Sequence, residues 1–412
     1  MKDSGVELIG VIPEEWSAVR LKYLCRIQTG EEDTQDANED GEYPFYVRSP
    51  FIERSTKYTF DGEGILVAGD GAGAGRVFHH AFGKYAVHQR VYRLSDFHCH
   101  TRFLYNYLIC IFPYEMDRGS AQSTVPSIRL PMLQNFRVLI PPTKMSGIAN
   151  FLDAKCEEID KVVEKTRESI EEYKKLKQAV ITEAVTKGVR GSRPMKPSGV
   201  EWIGDIPAEW EIFSLRYIGS CQNGISKGGE YFGQGYPFIS YSDVYKNITL
   251  PTSPTGLVET TTEEQKRYSV QCGDIFFTRT SETIEEIGIA SVCCSNISCA
   301  TFAGFLIRVR PYNAQILPHY SKYYFRSEIH RRFFVKEMNI VTRASLSQDL
   351  LKRMPVLLPD RNEQQEIANY LDAKCGEIDR LIAKKEQLIT ELEAYKKSLI
   401  YEYVTGKKEV PA

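Results

Sequence analysis

The chain has 412 residues, 42% apolar and 26% charged, a composition that suits a soluble globular protein with two or three cores, and no apolar run approaches membrane-spanning length. A formal net charge of −2 gives no basic footprint overall, so a strongly basic nucleic-acid binder is excluded and any such role must rest on local charge. The N-terminus MKDSGVELIG has neither a basic leader nor an apolar core, which points to the cytoplasm, and ten cysteines without a C-x-x-C pair are expected to be reduced, mostly buried thiols.

In chain order, residues 1–24 read as a short opening element built on SGVELIGVIPEEW (Ser4–Trp16), with Pro13 and Trp16 as anchors against something larger. Residues 25–140 read as a mixed α/β head. Gly64–Asp70 and Val91–Ser95 are strand-like, and Phe103–Phe112 is a buried helix candidate. After Arg137–Pro142 the chain enters a long helix ending at Lys187-Gly188, where glycine suits a C-terminal cap. Val189–Pro197 is a linker by its Gly, Pro and basic content. The opening motif then recurs as SGVEWIGDIPAEW (Ser198–Trp210), and a second head follows with Gly273–Thr278, Phe305–Pro311, Tyr320–Glu328 and Met354–Pro359 in the same order. Asp360 with Glu363 forms a capping box that opens a second long helix. The expected domains are 1–145 (first head), 146–188 (first helix), 189–197 (linker), 198–359 (second head), 360–406 (second helix) and 407–412 (tail).

The two helices are copies. A shift of 219 residues lays Ile148–Lys187 over Ile367–Gly406 without a gap, with 19 of 40 positions identical, whereas the opening motifs repeat at an offset of 194. The heads between them share an order of elements but hardly any residues, so a repeated frame carries two different heads. Heptads with Leu371 at position a put Leu371, Ile378, Leu381, Leu388 and Leu392 on one seam, and Leu152, Ile159, Val162 and Leu176 are the apolar counterparts in the first helix. About 40 helical residues rise roughly 60 Å, and two copies related by a two-fold would run antiparallel with one head at each end. One turn of duplex DNA, about 34 Å, is commensurate with such a frame.

Motifs for chemistry are weak. Gly69–Ala74 matches G-x-G-x-x-A after a strand, but no βαβ unit can be drawn around it, and a flexible glycine loop passing near a phosphate backbone fits better. Asp360 followed by Asp372-Ala-Lys374 resembles a nuclease pattern, yet those residues lie in a heptad rather than on a strand. His79, His80, His88, His98 and His100 lack a third spaced ligand and read as surface or DNA-facing groups, so no metal is expected. No catalytic signature is present. Between Tyr43 and Arg137 there are 11 Lys+Arg against 7 Asp+Glu, and from Gly219 to Val356 there are 15 against 12, so both heads are mildly basic. Candidate DNA contacts are Arg48, Arg54, Lys57, Arg76, His79, His80, Gln122 and Arg129 in the first head. In the second they are Lys227, Tyr241, Lys246, Arg279, Thr280, Ser281 and Arg343. Arginine reads guanine, amides read adenine, and Lys and Ser/Thr hold phosphates.

The duplicated SG-V-E-x-IG-x-IP-x-EW motifs, the two helices opening I-A-N-[FY]-LD-A-K-C-x-EID, the LLP-x-x-x-EQQEI approach and Phe277–Gly288 (FTRTSETIEEIG) resemble the specificity subunit (HsdS) of type I restriction–modification systems. The resemblance spans nearly the whole chain. It implies an α/β (α+β) protein in which two target-recognition domains, joined by two long antiparallel coiled-coil helices with pseudo-two-fold symmetry, each read half of a split double-stranded DNA site. It further implies a chain that is non-catalytic by itself and binds no cofactor. Two modification subunits using S-adenosylmethionine would dock on the helices and methylate adenine, and restriction subunits using ATP and Mg2+ would translocate and cleave. The first copy departs from the pattern: PPTKMSGIAN (Pro141–Asn150) stands where the second has PDRNEQQEIAN, which predicts a less firm start to the first helix. The rival reading is a coiled-coil scaffold with two protein-binding heads.

Overall fold

The computed structural model describes residues 1–119, 126–281, 286–337 and 344–411. It divides into two compact units, Met1–Arg167 with Glu386–Ala412, and Glu168–Lys385. Each unit holds one head, and each takes a part of both long helices, Met145–Lys187 and Arg361–Val404.

In the first unit the strand that leaves the opening motif, Ser17–Arg20, pairs antiparallel with Arg137–Ile140, the strand that leads into the first long helix. Between them the head builds an antiparallel sheet in the order Arg26–Thr29, Val91–Ser95, Gly64–Ala68, Phe78–Ala81. Every residue of Gly64–Ala68 is buried, as its unbroken apolar run requires of a central strand. A second sheet contains a parallel pair, Tyr43–Tyr46 with Lys84–Val87, which sequence patterning does not reveal. The helix Thr101–Gly119 packs its apolar face, including Phe103, Tyr107, Leu108 and Ile111, into the core with Trp16 and Leu152.

The second unit repeats this plan. Glu211–Ser214 pairs with Pro355–Leu358, and the head sheet runs Gly219–Asn223, Leu306–Pro311, Ile275–Thr278, Ala290–Val292. The anchoring role of the tryptophans is explicit here. Trp210 is fully buried, and its Nε1 donates to Glu363 Oε2 at 2.9 Å. The Glu363 carboxylate, also buried, pairs with Arg193 at 2.5 Å. Asp360 caps the helix as expected, accepting from the amides of Asn362 and Glu363 at 2.8 and 2.9 Å, while the Glu363 side chain turns to Trp210. In the first unit Trp16 stands edge-on to Phe103, and Gly406, at φ +71°, lies so close that a Cβ would sit 2.9 Å from Pro13. The first helix begins differently, after Lys144 at φ +82°, a left-handed conformation unfavourable for a residue with a side chain.

Both helix pairings are antiparallel. In the first unit Asp160 meets Lys396 at 2.6 Å, Arg167 meets Glu393 at 3.0 Å, and Phe151 packs on Tyr403. In the second, Lys177 meets Asp379 at 2.7 Å and Lys385 lies over Tyr173. Such exposed pairs are worth about 0–1 kcal/mol each and fix register more than stability. The heptad period is as read from the sequence, but the register is not. Leu371 and Ile378 are buried, yet the seam runs through Leu371, Cys375, Ile378, Ile382, Lys385, Ile389 and Leu392, four and then three residues apart in alternation. Leu371 therefore occupies a d position rather than a. In the first helix Leu152, Ile159, Val163 and Ile170 are buried. Val162, Leu176, Leu381 and Leu388, expected on the seam, are exposed because they fall one residue off it.

All ten cysteines are free, but only Cys25, Cys293 and Cys375 are buried, fewer than expected. Among the described residues no helix is long and apolar enough to cross a membrane.

Two measurements check this packing. Leu371→Ala or Ile378→Ala should destabilise the protein by about 2–5 kcal/mol in thermal unfolding, whereas Leu381→Ala and Leu388→Ala should stay within about 0.5 kcal/mol. Equal losses at all four would restore the a-register. His330 in the second unit is buried between Tyr324 and Phe325, and burial holds its imidazole down at about 3. The unfolded chain protonates near 6.5, so this contribution to stability is complete above that pH and is lost as pH falls from there toward 3. Unfolding free energy should fall with acidification over that window, and His330→Leu should flatten the slope.

Candidate nucleic-acid interface

The glycine loop after strand Gly64–Ala68 is the organising element of the first head's rim. Gly69 donates its amide to Arg90 O at 2.8 Å, and a Cβ at Gly69 would sit 2.7 Å from that oxygen. At Gly73 a Cβ would lie 2.5 Å from Arg48 O. Glycine is thus required because two other backbone segments pass against the loop, a more specific reason than flexibility. Between these contacts Asp70 Oδ1 accepts from Arg48 Nη1 at 2.9 Å and Oδ2 accepts from Arg90 Nη1 at 2.6 Å. Arg48, Ser49, Pro50, Asp70 and Gly73 line a shallow depression of about 500 Å³. Burial pushes the Asp70 carboxyl up, but the hydrogen bonds and charges of Arg90 and Arg48 outweigh it and hold the group below its ordinary value.

His79 and His80 alternate along their strand, so they face different surroundings. His79 Nε2 lies 3.1 Å from Ser49 O beside Tyr46, whereas His80 Nε2 meets Glu63 Oε1 at 2.9 Å and its ring stacks on Tyr105. Burial lowers the pKa of both, and of the buried His88, where Arg48 adds to the effect. These three are half-buried or buried, where the sequence suggested surface or DNA-facing groups. Among the described residues no cluster of three or more His, Cys, Asp or Glu could hold a metal ion.

The other candidates scatter. Arg54 donates to Gly41 O at 2.9 Å, and Lys57 lies near Glu32 and Asp36, so both serve the acidic loop Glu31–Glu42. Arg76 pairs with Asp117 and lines a groove of roughly 1000 Å³ with Tyr114, Lys396 and Tyr401. Arg129 is exposed just before the helix Leu130–Asn135. Gln122 and Arg343 lie outside the described residues. In the second head Lys227 is tied to Glu264 at 2.8 Å and stands over Tyr231, and Lys246 is exposed at the end of helix Tyr241–Lys246. Tyr241 stacks on Tyr245, while Ser281 Oγ meets Glu286 Oε2 at 2.5 Å and Arg279 is half-buried. Thr280 and Ser281 form a short strand with Ala344–Ser345.

The two rims correspond bond for bond. Arg279 N donates to Phe305 O at 2.9 Å as Gly69 N does to Arg90 O, Leu346 N donates to Arg279 O as Ile128 N does to Gly69 O, and Ala303 N donates to Ile239 O as His88 N does to Tyr46 O. Counting along the strands from these bonds, Tyr241 occupies the place of Arg48, Thr280 that of Asp70, and the exposed Phe305 that of Arg90. Asp70, Arg90 and Phe305 were not among the residues the sequence singled out.

A profile of the type I restriction modification DNA specificity domain matches residues 13–172 and 207–394. The chain is 23% identical over 418 residues to the MjaVIII specificity subunit of a type I restriction enzyme from Methanocaldococcus jannaschii, covering 97% of this chain and 94% of that one. It is 28% identical over 177 residues to the type I restriction enzyme EcoDI specificity subunit of Escherichia coli, which is 43% of this chain and only 39% of that relative's length. Among solved structures, a chain from work on complex assembly and conformational transition of the type I R-M system aligns over 97% of this chain and 100% of its own, with a TM-score of 0.71 at 15% identity. The HsdS subunit from Thermoanaerobacter tengcongensis aligns over 99% and 100% with a TM-score of 0.52 at 14% identity. These structural likenesses speak for the fold, and the two profile matches, one on each head and the helix after it, show that the chain belongs to the type I restriction–modification DNA specificity family.

Proposed function

We propose that this chain is the DNA-recognition subunit of a type I restriction–modification complex, with each head reading one half of a bipartite double-stranded site. The observation that carries this reading is the pair of rims just described: one backbone corner is built twice, with Arg48, Asp70 and Arg90 in one head and Tyr241, Thr280 and Phe305 at the same places in the other. Two such corners suit two different base sequences. Base edges are read by side chains of this kind, whereas phosphates hold the register. The chain itself would be non-catalytic. Adenine methylation with S-adenosylmethionine would be performed by modification subunits, two per complex, with the target base flipped into their pocket. Restriction subunits would supply ATP- and Mg2+-dependent translocation and cleavage, and the complex would work in the cytoplasm. The scaffold reading is not favoured, because it leaves the family membership unexplained.

The exposed apolar residues of the helices are the docking sites we assign to the modification subunits, Val162 and Leu388 in the first unit, Leu176 and Leu381 in the second. Leu381→Glu and Leu388→Glu should reduce co-purification of the modification subunit without moving the melting temperature. Loss of folding in both would mean that these residues serve the helix pairing instead.

The function is tested by methylome sequencing of a methylation-free host that expresses the chain with its cognate modification subunit. A split motif with methyladenine in each half is expected. An assembled, S-adenosylmethionine-bound complex that methylates nothing, and whose affinity for DNA does not fall with salt, would contradict it.

A further inference from the structure

We propose that Asp70 is a positioning residue of the first head, a carboxylate bracket that presets Arg48 and Arg90 to read a G·C base pair in that head's half-site. The proposal rests on the DNA-reading function above and assigns a specificity to one of its two rims.

Three observations carry it. First, one carboxylate holds two guanidinium groups, one on each oxygen and each through Nη1, which leaves the Nε–Nη2 edge of both arginines for another partner. The side chain of Arg90 is 61% exposed and that of Arg48 42%, against 20% for Asp70, so the arginines face outward and the carboxylate sits behind them. Second, the loop sequence is shaped to this cluster, since side chains at Gly69 and Gly73 would collide with the backbones of Arg90 and Arg48 themselves. Third, the fold does not need the charges. The second head closes the same corner with Tyr241, Thr280 and Phe305, and exposed ion pairs contribute about 0–1 kcal/mol, so stability does not account for two arginines on one aspartate.

The chemistry selects a base pair over a phosphate. A guanidinium fork also grips phosphate, but a carboxylate beside that phosphate is repulsive. A G·C pair presents O6 and N7 acceptors that match a fixed guanidinium fork, and its uncharged bases do not repel the carboxylate behind that fork.

The test is methylome sequencing of the full chain with its modification subunit, comparing wild type with Arg90→Lys, Arg48→Lys and Asp70→Asn. Lysine keeps the charge and loses the fork. The expected result is a guanine in one half of the wild-type motif, and a drop of roughly ten- to a hundredfold in preference for it in the lysine variants. Asp70→Asn should relax the same position, which a merely structural role would not do, and the other half should stay unchanged. Should Asp70→Asn fail to assemble, the exposed Arg90→Lys variant still decides. Methylation weakened evenly with base preference intact would mean that the arginines grip phosphate, and would overturn the proposal. A split motif unaffected by any variant, or without guanine in either half, overturns it alone. Absence of any split motif in the wild type overturns it together with the function it rests on.

Discussion

Each head is closed by a ladder between the strand that enters it and the strand that leaves it, Ser17–Arg20 with Arg137–Ile140 and Glu211–Ser214 with Pro355–Leu358. The leaving strands bury Val138, Leu139, Val356 and Leu357 completely, each worth about 1.5–3 kcal/mol, and run directly into the long helices. A head is therefore an excursion whose two ends are held together by the frame. Residues inside the excursion can change without disturbing the frame, provided that the ladder and the anchoring tryptophan remain. This constraint permits one scaffold to carry two heads of different length and surface chemistry.

The same constraint explains which features were legible in the sequence. The helices were, because a 3.5-residue period sustained over some forty residues and written twice admits no other structure. Their register was not, since Leu371 serves equally well as a or d. Leucines at 381 and 388 made the three-residue step attractive, while the seam set of Cys375, Ile382 and Ile389 is chemically less uniform. Strands buried on both faces, Gly64–Ala68 and Ile275–Thr278, announced themselves as apolar runs. The parallel pairing of Tyr43–Tyr46 with Lys84–Val87 did not, because it depends on a crossover of some forty residues and leaves no local signature.

At the proposed interface, individual residue chemistry named Arg48 as a candidate but not the partners that the fold brings to it. Asp70 and Arg90 stand 22 and 42 positions further along, and only tertiary packing brings the three together. The available signal was the spacing of glycines around Asp70. Its cause is close approach of other backbone segments rather than mobility or a nucleotide, and that distinction needs coordinates. Arg54, Lys57 and Lys227, chosen on the same chemical grounds as Arg48, are held to the head's own carbonyls and carboxylates, or lie beside its own acidic loop. Residue type thus does not say which basic groups are already held by the head itself, and burial with partner geometry does.

The central claim is that a constant frame carries two independent reading heads. It is tested most directly by replacing residues 25–140 with the corresponding segment of another family member and sequencing the methylome. A motif changed in one half, with the other half retained, is the predicted result. Change in both halves, in a complex that still assembles and methylates, would contradict the separation of frame from heads.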